Sequence, residues 1–427
     1  MKKFLLLIIS LTLLFVSCDK KKSSSSKKGF TPRLDPKTSA SIVIAGSYKN
    51  FESLEEEIIR FSEFYPDIDV SYISLDNYNK NILPALKGEA APDIFCAFTW
   101  MIDKKNYDEL FNLSENLSDE NLDIDLSGIQ QELITRQNGG QVLMLPIFAN
   151  THGMLVNEDL FKKYGIKVPK TYEDLKKACK KFKENGISSP VMGYFAPNGL
   201  FVSLALPYFC NSITKKPGAV ASLNSLINEA GEYLRPLLDF TEDFLEIGAI
   251  DENKCLEEIT DSYSSIILRF FKGDVPMMFV NGDVVSGTQK RESLSKEFTE
   301  NPFRYKFSPI PTNAHGGIFL PFHSLGFCVN KNSSNLEVTN EFIRFLSRKD
   351  QLNNMAKLKR IVSVSTDFSL DEMFSDFSKV DSIYLDQLGL MDNAIKEMRA
   401  AVYLLATGKL SKEEAIKNYG KLDELLK

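Results

Sequence analysis

SIVIAGSYKNFESLEEEIIRFSEFYPDIDVSYISLDNYNKNILPALKGEAAPDIFCAF, residues 41–98, sets the architecture. Ser41–Ala45 is a short β-branched run, the pattern of a buried strand, and Gly46-Ser47 breaks it. Leu54, Ile58, Ile59 and Phe61 then recur near helical spacing, with Glu52, Glu55, Glu56 and Glu57 assigned to the opposite face. Acidic residues in a first turn suit the helix dipole. Tyr65-Pro66-Asp67 ends that helix, because the residue before proline is pushed out of the α region. Ile68, Val70, Tyr72 and Ile73 read as a second strand, residues 78–87 as a second helix, and Ile94–Phe98 as a third strand. Strand, helix, strand, helix, strand is the rhythm of an α/β fold with a parallel sheet and right-handed crossovers.

Downstream, Thr171 is an N-cap with Asp174 as the reciprocal acid of a capping box, and Asn185-Gly186 closes that helix. Helical periodicity covers about 219–245. Strands return at Val275–Val280 and Leu325–Val329. Helices are expected from about Ser382 to Lys427, the last opened by Ser411 with Glu414. A single core stops growing near ~250–300 residues, so this length makes two lobes the default. Hydrophobic residues at 43% and charged residues at 25% describe a globular chain. Its 31 Phe against one Trp imply a large aromatic core with few aromatic platforms outside it.

Upstream, Lys2 and Lys3 precede the apolar run Phe4–Val16, then Ser17 and Cys18. That order describes a secretory leader, and the apolar run is short for a membrane span, which needs ~20 residues. Cys18 after a small residue resembles the lipobox of bacterial lipoproteins, with Phe15 where Leu is usual. The resemblance implies lipidation of Cys18, removal of residues 1–17, and a location on the periplasmic or outer face of a membrane. Asp19–Lys28, DKKKSSSSKK, has no apolar residue and reads as a flexible leash; residues 18–39 are assigned to the linker. A formal charge of −6 speaks against nucleic acid as a partner. Cys96, Cys179, Cys210, Cys255 and Cys328 form no ligand cluster. They read as buried free thiols, with one or two bridges left open.

The chain further resembles the extracellular solute-binding proteins of ABC importers, in the group that binds sugars. An ordered series of motifs carries the resemblance: Ala91-Pro92-Asp93-Ile94; Gly140–Asn157, GQVLMLPIFANTHGMLVN; Asp159-Leu160-Phe161; Val168–Leu175, VPKTYEDL; Phe271–Met278, FKGDVPMM; and Phe342–Leu346. It implies a two-lobed periplasmic binding protein-like type II fold, each lobe a mostly parallel sheet flanked by helices. The lobes would be 40–148 plus 321–363 and 149–320 plus 364–427. Three hinge crossings fall near Phe148–Thr151, Phe319–Leu325 and Ile361–Ser365. The resemblance also implies closure around a small polar solute, most readily a sugar or oligosaccharide, and delivery by a monomer to membrane permease subunits, with no cofactor and no catalysis. A surface glycosidase or an adhesin is the competing reading; no G-x-S-x-G, P-loop or zinc motif anchors the former.

Ligands of open α/β sheets sit beyond the carboxyl ends of the strands. Tyr48 and Lys49 follow the first strand, and Trp100 follows the third. Asn150, Thr151 and His152 lie at the first crossing. Asn281, Gly282 and Asp283 follow the strand ending at Val280, with Val284 where the family commonly has an aromatic residue. His315, Phe319, Phe322 and His323 surround the second crossing. Phe195 and Asn198 complete the candidates. No paired histidines at ligand spacing point to a metal.

Overall fold

A computed structural model describes residues 29–102, 105–137, 139–192, 200–213, 215–251, 268–313 and 316–426. The Cys18 anchor, Cys255, His315, Phe195 and Asn198 lie outside the described residues. Among the described residues, ten strands form two sheets. The first contains β1 (Ala40–Gly46), β2 (Ile68–Ser74), β3 (Ile94–Ala97), β4 (Leu145–Asn150), β9 (Phe322–Val329) and β10 (Val362–Ser363), in the order β10-β4-β9-β3-β1-β2. The second contains β5 (His152–Asn157), β6 (Val191–Met192), β7 (Met277–Asn281) and β8 (Tyr305–Ser308), in the order β6-β7-β5-β8.

The opening segment folds as its pattern expects. β1 pairs in parallel with β2, Ile42 opposite Val70, and with β3, Ile44 opposite Ile94. The connecting helices are Glu52–Ser62 and Tyr78–Leu86. Beyond these strands, the expectation of mostly parallel sheets is corrected. β9 runs antiparallel between β3 and β4, and β5 runs antiparallel to both β7 and β8. The sheets are mixed because chain returning from the other sheet enters against the crossover strands.

A second correction concerns helix Glu52–Ser62. Glu57 is fully buried, whereas Ile59 is 59% exposed. The helix turns Leu54, Glu57 and Phe61 inward, and Glu57 meets helix Lys349–Lys359. Burial pushes its carboxyl up to about 8, although Arg60 donates a hydrogen bond to it at 3.0 Å. The 219–245 periodicity resolves into helix Ala219–Asn224, the 3₁₀ turns of Asn228–Leu234 and helix Arg235–Glu246. Leu226 breaks it with a φ of 55°. Both capping boxes are formed, Thr171 with Asp174 and Ser411 with Glu414. Cys96, Cys179, Cys210 and Cys328 are buried free thiols.

The linker assignment also changes. Within 18–39, the described part from Gly29 is docked. Phe30 is buried edge-on against Phe64 and Phe345. The Arg33 amide donates to Tyr65 Oη at 3.0 Å and to Glu341 Oε1 at 2.9 Å. Arg344 and Arg348 bond the carbonyls of Thr31 and Gly29, each at 2.6 Å. An aromatic side chain and paired carbonyls supply what the serine–lysine stretch lacks. Among the described residues, no helix is long and apolar enough to cross a membrane.

Candidate functional site

The chain passes between the sheets at three places. β4 ends at Asn150 and β5 begins at His152, so Thr151 alone joins them. Residues 309–321 lead from β8 to β9. After β10, residues 372–379 form 3₁₀ turns against β8, where Asp376 accepts from Ser308 Oγ at 2.9 Å and pairs with Lys306. Burial works to raise the Asp376 carboxyl. Hydrogen bonds from Lys306, Lys379 and Ser308 win and hold it below the usual carboxylate range.

The first crossing is tied to its neighbours. The Thr151 hydroxyl donates to the His152 carbonyl and accepts from the Leu320 amide, both at 3.3 Å. The Gly282 amide donates to the Thr151 carbonyl at 2.8 Å. A Cβ on Gly282 would fall 2.2 Å from Asn150 Oδ1, so glycine is required for this approach. Asn150 Oδ1 accepts from the Thr151 amide at 2.8 Å, while Asn150 Nδ2 is buried with no partner among the described residues. A buried amide left without a partner is costly, which is why such groups are uncommon outside binding sites and strained regions.

Both described histidines lie on these crossings. The His152 ring stacks on Phe322, centroids 5.5 Å apart. Burial, assisted by the Arg399 charge, lowers its pKa to about 3. His323, 1% exposed, is lowered by burial to about 4, with only the Leu325 backbone opposing. Both are neutral at physiological pH.

Beyond the carboxyl ends of β1, β2 and β3 lies a cavity of about 580 Å³. Ser47, Lys49, Ser74, Asp76, Asn77, Asn79 and Lys80 give it hydrogen-bonding walls; Phe98, Tyr78 and Trp100 give it aromatic ones. Trp100 is 41% exposed, stacked on Phe98 with centroids 6.0 Å apart and planes 14° apart, and braced edge-on by Tyr107. One indole face is therefore supported while much of the ring stays open. A supported aromatic ring beside convergent donors and acceptors suits a polar ligand with apolar faces.

Of the residues singled out from sequence, Lys49 and Trp100 meet in this cavity. Asn150, Thr151, His152 and His323 gather at the crossings instead. Tyr48 does not line the cavity; its ring packs on Phe51 and under the Lys359 ammonium, 4.1 Å from the centroid. Asn281 caps helix Gly282–Ser286 by accepting from the Asp283 amide at 3.1 Å. Asp283 is exposed, yet surrounding protein raises its carboxyl, outweighing Lys359 and Arg291. Phe319 is corrected: it is 4% exposed and packed on Phe377, so its ring offers no platform. Sequence reasoning missed the Asp76–Lys80 lining, although the strand-end rule applied to β2 would have found it. It also missed Lys359, whose signal was its place just before the third crossing. Among the described residues, no group of three or more His, Cys, Asp or Glu could hold a metal ion.

The family model of bacterial extracellular solute-binding proteins matches residues 45–352. The chain belongs to this family. Among bacterial extracellular solute-binding proteins, it is 22% identical over 388 residues to the melibiose/raffinose/stachyose-binding protein MelE of Bacillus subtilis (strain 168). That match covers 88% of this chain and 84% of MelE. The GacH receptor of Streptomyces glaucescens, solved unliganded and with acarbose, superposes with a TM-score of 0.68 at 17% identity, covering 91% of this chain and 99% of that one. The apo form of RafE from Streptococcus pneumoniae gives 0.66 at 15% identity, covering 92% and 100%. These likenesses establish the two-lobed type II fold of the solute-binding proteins, with an extracellular family setting.

Proposed function

We propose that this chain is the substrate-binding component of an ABC importer and captures a sugar or oligosaccharide between its lobes. The lobes are residues 40–148 plus 321–363 and residues 149–320 plus 364–427. The observation that carries this reading is Trp100, half open over a cavity lined by Lys49, Ser47, Asp76 and Asn77. A pyranose presents an apolar face to an indole and hydroxyls to the surrounding side chains. MelE's name and the acarbose complex of GacH favour carbohydrate over other polar solutes. Asn150 Nδ2, buried without a partner at the first crossing, is a donor for the same solute once the cleft closes. Ligand then shifts an open–closed equilibrium by its differential affinity for the two forms.

Cys18 tethers the protein to the membrane, and the closed form delivers its solute to permease subunits. The protein acts as a monomer without cofactor or chemistry of its own. The Gly29–Arg33 segment is docked on the folded body, which keeps a tethered receptor in a small volume beside its permease.

Thermal-shift screening against mono- and oligosaccharides, polyols and amino acids tests this. A solute at 100 times its Kd stabilises by about 2.7 kcal/mol. An oligosaccharide recovered intact after prolonged incubation is the expected result, with Trp100→Ala weakening it ~10-fold or more, the scale of a supported aromatic contact. Turnover of the sugar, or stabilisation by amino acids alone, overturns the reading.

A further inference from the structure

Lys359 and Arg360 close helix Lys349–Lys359 and lead directly into β10, the last strand before the third crossing. Arg360 adopts a left-handed backbone, φ 53°, which turns the chain there. Its Nη1 lies 3.5 Å from Thr288 Oγ1, which belongs to the second lobe. Beside it, the Lys359 ammonium rests on the Tyr48 ring, and among the described residues it has no ion pair. Lys359 is half-buried, so it has surrendered part of its hydration without gaining a carboxylate.

Across the same seam stands Asp283, on the short helix that Asn281 caps, five residues before Thr288. Its backbone is engaged at both ends, amide to Asn281 and carbonyl to Ser286, but among the described residues its carboxylate has no partner. Each of the two charges perturbs the other: Asp283 favours the charged form of Lys359, and Lys359 that of Asp283. Glu52 and Arg291 also act on Lys359, the first holding its charge and the second opposing it. The result is a half-desolvated cation on one lobe and a carboxylate on the other, either side of a seam that the Arg360–Thr288 contact already spans.

We infer that closure of the lobes joins Lys359 and Asp283 in an ion pair, a latch that sets the open–closed balance without touching the solute. Tyr48 is then a positioning residue: its ring holds the ammonium toward Asp283. This explains why Tyr48 faces Lys359 and not the Trp100 cavity. The latch rests on the proposed closing cleft. It adds a term to affinity independent of the sugar, because apparent affinity scales with the fraction of competent conformer.

A charge-swap cycle tests it. Lys359→Gln and Asp283→Asn each weaken the Kd for the oligosaccharide found by screening ~3–10-fold, and the double variant is no worse than either single, as expected of coupled partners. The swapped pair, Lys359→Asp with Asp283→Lys, restores affinity to within ~2-fold of the parent. Fluorescence transfer between labels on the two lobes, in ligand-free protein, follows the same order: each single lowers the closed fraction and the swap restores it. High salt erases the difference between parent and singles, since the open pair is separated by water. Additive losses with no rescue by the swap would show that the two residues grip solute and overturn the latch. So would singles that leave both the affinity and the closed fraction unchanged. If no solute binds, the fluorescence arm still decides the latch, separately from the carbohydrate reading.

Discussion

His152 and His323 carry a consequence for acid stability. Burial lowers their folded-state pKa values to about 3 and about 4. The unfolded chain takes up these protons as pH falls through ~6.5, while the folded chain refuses them. Their stabilising effect is complete above that value and is lost as pH falls toward the folded pKa values. Urea unfolding at pH 7 and pH 4.5 should show a large loss. Replacing both histidines with Gln should shrink that loss by about 2 kcal/mol per histidine. An unchanged pH dependence would mean that the rings are hydrated in the folded state. Residue roles were unevenly legible. Trp100 and Lys49 were readable because a residue just past a parallel strand has few places to go. Tyr48 is Lys49's immediate neighbour past the same strand, but its ring packs on Phe51 and under Lys359, which no composition rule distinguishes. Glu57 and Ile59 exchanged expected faces because the buried stripe of helix Glu52–Ser62 is set by helix Lys349–Lys359, some 300 residues away in sequence.

Elements closed by local bonds were the most legible. Thr171 and Asp174, three residues apart, complete their box wherever the helix lies, as do Ser411 and Glu414. Strand pairing was less so. β9 takes its place between β3 and β4 through contacts spanning more than 170 residues, so its antiparallel direction is not written in its own pattern. The Ala219–Glu246 region looked continuous, since a single left-handed residue, Leu226, leaves hydrophobic periodicity intact. The closest element contact at the first crossing gives a direct prediction. Gly282→Ala forces a methyl against Asn150 Oδ1 and should destabilise by about 1–3 kcal/mol, read as a lower urea midpoint with an unchanged slope. Gly165→Ala, where nothing lies near the added carbon but φ is 63°, tests backbone strain alone and should cost less. Equal effects would deny the Asn150–Gly282 contact its role at the crossing.

At the scale of the molecule, two sheets are joined through Thr151, through the chain between β8 and β9 and through the chain after β10, the places where hinge motion is proposed. The Trp100 cavity lies at the end of the first sheet, Asp283 and Thr288 lie on helices that follow β7 of the second, and Asn150 ends β4 at the first crossing. Length and motif order made the two-lobed plan legible from sequence; which residues meet across the gap was not, because that depends on both lobes being placed. Small-angle scattering of the protein with and without the oligosaccharide found by screening measures whether the lobes close on it. Capture between lobes predicts a saturable decrease in radius of gyration at the concentration that gives half-maximal thermal stabilisation. Saturable binding with an unchanged radius would place the sugar on one lobe alone and contradict it.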